Sequence, residues 1–150
     1  MKMTFDIPEH VHIRWQAALA VLEDLQEDEA APFDMKVWAK YDTLWEKVNG
    51  CGSAACFAGY ISVAPYCKPL GYPEYNRGSD ADYWLLGINS DHALGDADYD
   101  ASMELFHGLF SPQLEQKSRA KTLAFLEKRL KTIFKNSTGK NLVAPLTFWY

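Results

Sequence analysis

The sequence predicts an all-α fold, one helical domain over residues 1–150, on three observations. Apolar residues recur at three- and four-residue spacing in at least two long segments. Proline and glycine cluster between such segments rather than inside them. Only Phe33, Met35 and Val37 alternate as a short strand would, and the residues from Val37 on also fit a helical face. Five or six helices are expected around a central small-residue helix at 53–63, with a Tyr/Pro-rich loop at 65–78 on the surface.

The first helix is expected to start at Asp6-Ile-Pro-Glu9, where Asp6 can cap, Pro8 needs no amide partner and Glu9 completes a capping-box-like pattern. Val11, Trp15, Ala18, Leu19, Leu22 and Leu25 form its apolar stripe. Glu23, Asp24, Glu27 and Asp28 oppose the dipole at its end, so it is expected to stop near Ala30-Ala-Pro32. Residues 33–48 read as one or two short helices carrying Val37, Trp38, Tyr41, Leu44, Trp45 and Val48. After Asn49-Gly-Cys-Gly52, Ser53 can cap a helix reaching Val63, and its small residues at 54, 55, 58 and 59 allow a neighbour to approach closely.

Pro65, Pro69, Gly71, Pro73 and Gly78 mark a loop that is long for a compact domain, which points to a functional segment. A short helix from Asp80 to Leu86, capped by Ser79 or Asp80, should end at Gly87. Another is expected from Ala97 to Phe110, stopped by Ser111-Pro112. The last long helix carries Ala120, Leu123, Leu126, Leu130, Ile133 and Phe134 and ends at Asn136-Ser-Thr-Gly139. The apolar tail from Leu142 to Tyr150 is expected to dock on the body.

The chain has 150 residues, 48% of them hydrophobic and 23% charged, so it can bury a core without disulfides or a structural metal. No apolar run approaches the roughly 18 residues that cross a bilayer, and no signal peptide is evident at the start. Three cysteines do not suit a fully paired secreted framework, so a cytoplasmic protein with free thiols is expected. Charge is divided along the chain. Between Arg77 and Lys117 lie Asp80, Asp82, Asp91, Asp96, Asp98, Asp100, Glu104 and Glu115 without one Lys or Arg. From Lys117 to Lys140 eight basic residues face Glu127 alone. Such a division makes either two charged faces or two faces that neutralise each other.

The motifs Phe33-Asp-Met35 with Trp38, Cys51-Gly-Ser-Ala-Ala-Cys-Phe-Ala-Gly59, Leu86-Gly-Ile88 and Leu109-Phe-Ser-Pro112 carry a resemblance. The chain resembles a group of small phage and bacterial proteins that share F-x-M-x-x-W, C-G-[TS]-x-x-C-x-x-G, L-G-[LI] and L-F-x-P. Ser53 replaces their more usual Thr, and Tyr60 stands where His or Trp is commoner. The resemblance implies a helical fold and a phage or mobile-element setting, and it supplies no catalytic residues.

Parts of several site chemistries are present in the sequence. Cys51 ahead of a helix start could be a reactive thiol if His10, His12, His92 or His107 served as its base, but no spacing selects one. Cys51, Cys56 and Cys67 with a histidine could ligate zinc, yet the tight cysteine pair of structural sites is missing. No metal and no cofactor is therefore assigned. The run Asp91 to Glu104 misses the EF-hand spacing. Asn49, Gly50, Cys51, Gly52 and Ser53 could cradle a small anion, without the Gly-Lys-Ser/Thr ending of a P-loop. The leading expectation is a non-enzymatic protein that binds a host protein or complex, with Tyr66, Tyr72, Tyr75 and Arg77 as its contact residues. An acidic chain with no recognisable DNA- or RNA-binding motif does not favour nucleic acid, and no membrane partner is expected. The alternative is a nucleotide-like ligand site, binding or thiol-dependent, at Asn49–Ser53.

Overall fold

Helix α1, His12–Glu27, is the element around which the chain is arranged, and its composition explains why. Trp15, Ala17, Ala18, Leu19, Ala20, Val21, Leu22 and Leu25 are all buried. They occupy more than one face, so the helix must be covered from several sides, and its alanines let neighbours come close. The computed structural model describes residues 3–31, 33, 35, 56–72, 81–88 and 96–145. Within them the fold is all-α, with five α-helices, several short 3-10 turns and one π-helical turn. The expected short helices between residues 33 and 48 lie outside the described residues apart from Phe33 and Met35.

The remaining helices are α2 (Phe57–Val63), α3 (Ala81–Leu86), α4 (Asp96–Leu105) and α5 (Arg119–Thr138). Helices α2, α3 and α5 all pack on α1. Helix α5 runs antiparallel to it, because Trp15 meets Phe134 near one end (ring centroids 5.9 Å apart) while Gln26 donates to Glu127 towards the other. The helix expected at 53–63 is observed, with a later start. The helix there begins at Phe57, with Cys56 as an extended N-cap residue, and it buries Phe57, Ala58 and Ile61 against the larger α1.

The entry to α1 also differs from the expectation. A 3-10 turn at Glu9–Val11 precedes it, Pro8 takes the N-cap position, and no side chain caps the start, so Asp6 does not. The helix ends at Glu27, a few residues before Ala30, with the Asp28 amide still donating to the Asp24 carbonyl. Four acidic residues near its end make a poor terminus, and a distant residue compensates. Arg119, at the first position of α5, donates to the carbonyls of Leu25, Asp28 and Ala31 at 2.8, 2.9 and 3.0 Å. A cation at the negative end of a helix dipole, donating to carbonyls at and just beyond that end, is favourable.

The same device closes α3. Arg14 donates to the Trp84 carbonyl at 2.7 Å and Trp15 to the Leu85 carbonyl at 2.8 Å. Two successive residues of α1 therefore satisfy the last-turn carbonyls of a six-residue helix that cannot stand alone. Gly87 then reverses the chain in the left-handed region, at the position expected for it.

Helix α4 continues without a break into a π-helical turn, Phe106–Phe110. The wider turn brings Gly108, Leu109 and Phe110 inward after buried Leu105. It is tied to α5 by Arg129, which donates to the Gly108 carbonyl at 3.1 Å. Phe110 packs on Phe57 of α2, ring centroids 5.3 Å apart. The expected stop at Ser111-Pro112 is observed, as the chain turns extended at Ser111.

Helix α5 matches its predicted stripe at Leu123, Leu126, Leu130, Ile133 and Phe134, all buried, whereas Ala120 faces solvent. Ser118 caps its start by accepting from the Lys121 amide, and Gly139 ends it at φ 75°. Of the described tail residues, Leu142 is buried while Val143 is 64% exposed, so the docking is partial. Among the described residues no helix is long and apolar enough to cross a membrane.

Candidate interaction surface

The thiols come first because the cysteine motif is the most distinctive piece of the sequence. Cys56 and Cys67 are both buried. Burial pushes the Cys67 thiol up to about 12, so it remains protonated and unreactive at neutral pH. Cys51 and the rest of Asn49–Ser53 lie outside the described residues. Among those described, no three of His, Cys, Asp and Glu converge in a way that could hold a metal ion.

The aromatic loop is the next candidate, and half of its contact residues can be placed. Tyr72 is only 5% exposed and sets its ring edge-on to Trp84, centroids 5.2 Å apart. Tyr66 is half-buried, and its hydroxyl donates to the Asp24 carboxylate at 2.7 Å. Burial and that bond raise the Tyr66 phenol well above its ordinary value. Neither is the exposed contact residue that the sequence suggested. A tyrosine ring buries a large area, and here Trp84 and the flank of α1 offer that burial within the chain itself. The turn is held further by the 3-10 segment Lys68–Leu70, by Gly71 at φ 92°, and by the Trp84 indole donating to the Leu70 carbonyl. Tyr75 and Arg77 lie outside the described residues.

What remains is charge. On α5 the positions Lys121, Lys128, Lys131 and Lys135 are separated by seven, three and four residues, which places them along one side of the helix. All four are exposed, as is Lys117 just ahead of the helix. The stripe runs for about 21 Å from Lys121 to Lys135 at roughly 1.5 Å per residue. Among the described residues the only ion pair on it joins Lys131 to Glu127 at 3.6 Å. That contact is solvent-exposed and of the kind worth about 0.3–0.5 kcal/mol, so it does not neutralise the stripe. The two arginines of the helix are absent from it, because Arg119 caps α1 and Arg129 turns to Gly108, over the Phe125 ring.

At the C-terminal end of the stripe, Lys131, Thr132, Lys135, Asn136, Asn141 and Leu142 line an open groove of about 390 Å³. Lys135 donates to the Asn141 side chain at 3.1 Å, which ties the tail to the helix beside it. One edge of the stripe borders the acidic end of α1. Burial, followed by the nearby Glu127 carboxylate, raises the Glu23 carboxyl above its usual range, while Lys131 pulls the other way. On α4, Tyr99 is 54% exposed, with Asp100 and Glu104 exposed beside it. Asp82, from the same acidic stretch of sequence, is instead buried in α3.

The lysine spacing was legible before the structure. What could not be read was the inward turn of Arg119 and Arg129, which separates structural cations from surface ones. Comparison with protein-family models, with characterised proteins and with solved structures finds no match to this chain.

Proposed function

We propose that this protein is a non-catalytic binding protein that docks an acidic protein surface on the lysine stripe of α5. The supporting observation is a row of four exposed lysines with one weak ion pair among the described residues. Charge left unneutralised along 20 Å of rigid helix favours and orients an oppositely charged partner. The resemblance to small phage and bacterial proteins supports a phage-encoded protein acting in the host cytoplasm on a host protein or complex, as an inhibitor or modulator.

A protein partner is favoured over a nucleic-acid duplex on two counts. The arginines that would fork onto phosphates are committed to backbone carbonyls inside the fold. A duplex is also wide enough to overlap the acidic end of α1, where Glu27, Asp28 and Glu29 are exposed.

The test compares the wild-type chain with Lys121→Glu/Lys128→Glu as baits in bacterial lysate. The expected result is an acidic protein retained by the wild type and lost on charge reversal. Recovery of the same proteins by both baits, or recovery of duplex DNA in place of protein, would overturn the reading.

A further inference from the structure

The chain carries, on separate helices, both halves of a charge-complementary contact. Helix α5 presents Lys131 and Lys135, four residues apart, beside the groove at Asn136, Asn141 and Leu142. Helix α4 presents Asp100 and Glu104, also four residues apart, beside exposed Tyr99. Both pairs are separated by about 6 Å along their helix axes, so the carboxylates of one face match the ammonium groups of the other in spacing. Among the described residues no ion pair joins the two faces within one molecule.

We infer that the lysine stripe is also a self-association site, occupied by the Tyr99–Glu104 face of α4 from a second copy of this chain. This rests on the reading of the stripe as a docking face and names one occupant for it.

Tyr99 supplies the apolar component of the contact. Among the described residues it is one of few large hydrophobic side chains left exposed, and it is of the residue class that anchors protein interfaces. The groove of about 390 Å³ has room for a phenol ring, with Leu142 as an apolar wall and the Asn136 and Asn141 amides as partners for its hydroxyl. With Tyr99 seated there, Asp100 and Glu104 come to the lysines. The net charge of −5 on each copy opposes non-specific crowding, so any attraction must come from this oriented contact. The contact joins unlike surfaces, so it either closes in a pair when used twice or runs head to tail.

The test uses sedimentation velocity on the full chain over a range of protein concentrations, with circular dichroism to verify folding. Two charge-reversed variants are compared with the wild type: Lys131→Glu/Lys135→Glu and Asp100→Lys/Glu104→Lys. The expected result is concentration-dependent association of the wild type and a monomer for each variant alone. Mixing the two variants should restore association, since one retains the native acidic face and the other the native stripe. Tyr99→Ala, a surface truncation that leaves the charges in place, should weaken association about tenfold, the weight of a modest interface anchor.

A wild type that stays monomeric, variants that associate as the wild type does, or a mixture that stays monomeric would each overturn the inference. A monomeric wild type that still captures an acidic host protein through Lys121 and Lys128 would sink self-association alone. Self-association with no captured partner would sink the proposed function alone.

Discussion

Replacing Arg119 with methionine removes the guanidinium while keeping most of the side-chain length. The wild-type group donates to three carbonyls at the end of α1, those of Leu25, Asp28 and Ala31. The bonds to Leu25 and Ala31 are part-buried, whereas the one to Asp28 is exposed and water can replace it. A charge-assisted hydrogen bond contributes about 1.5–3 kcal/mol, and partial exposure brings each of the two part-buried bonds to about 1 kcal/mol. The cation at the helix terminus adds about 0.5–1 kcal/mol. The expected loss is therefore about 2.5–3 kcal/mol, or about 5–12 °C in Tm for a chain of this size. Urea denaturation would measure it, with an unchanged m-value indicating that only stability has moved. Hydrogen exchange should quicken first at the Asp28 and Ala31 amides, which close the end of the helix. Arg119→Lys should recover about half, because a single ammonium cannot span three carbonyls. A loss below about 1 kcal/mol, or one that leaves those amides as protected as before, would refute the capping argument.

Other consequences are equally direct. Trp15→Phe keeps a large ring but leaves the buried Leu85 carbonyl without its donor, so a loss of about 1–3 kcal/mol is expected by thermal denaturation. Gly71→Ala and Gly139→Ala both force alanine to positive φ, at a cost of about 1–2 kcal/mol. The first should cost more, since its methyl group would lie 3.3 Å from the Arg14 guanidinium while the second meets nothing within 4 Å. Equal losses would remove the contact argument. Alkaline pH is expected to destabilise the fold through Cys67 and Tyr66, both of which hold their protons more tightly when folded than unfolded. Their contributions are complete below the unfolded values of 9.0 and 10.0 and are lost as pH rises towards the folded ones. Each group adds a slope of at most about 1.4 kcal/mol per pH unit. Cys67→Ala with Tyr66→Phe should flatten a stability curve measured between pH 8 and 11, and an unchanged slope would count against the burial of these groups.

Several elements followed from the sequence because their causes are local. The stripe of α5, its Gly139 end and the stop of α3 at Gly87 depend on residues three or four apart. The lysine row belongs with them, since helical periodicity alone aligns it. Other features depend on what meets what across the chain. Arg14 and Arg119 look like ordinary surface cations in sequence, and only packing turns them into the caps of α3 and α1. Tyr66 and Tyr72 sit in a proline-rich stretch that reads as exposed loop, yet Asp24 and Trp84 draw them inward. The small residues near Cys56 suggested a helix that a neighbour can approach closely, and only the packing identifies that neighbour as α1. Thus the sequence alone determined an all-α chain with a basic terminal helix, through periodicity and capping. The tertiary structure decided which charges are structural and which face outward, because that depends on carbonyls and rings supplied from far along the chain.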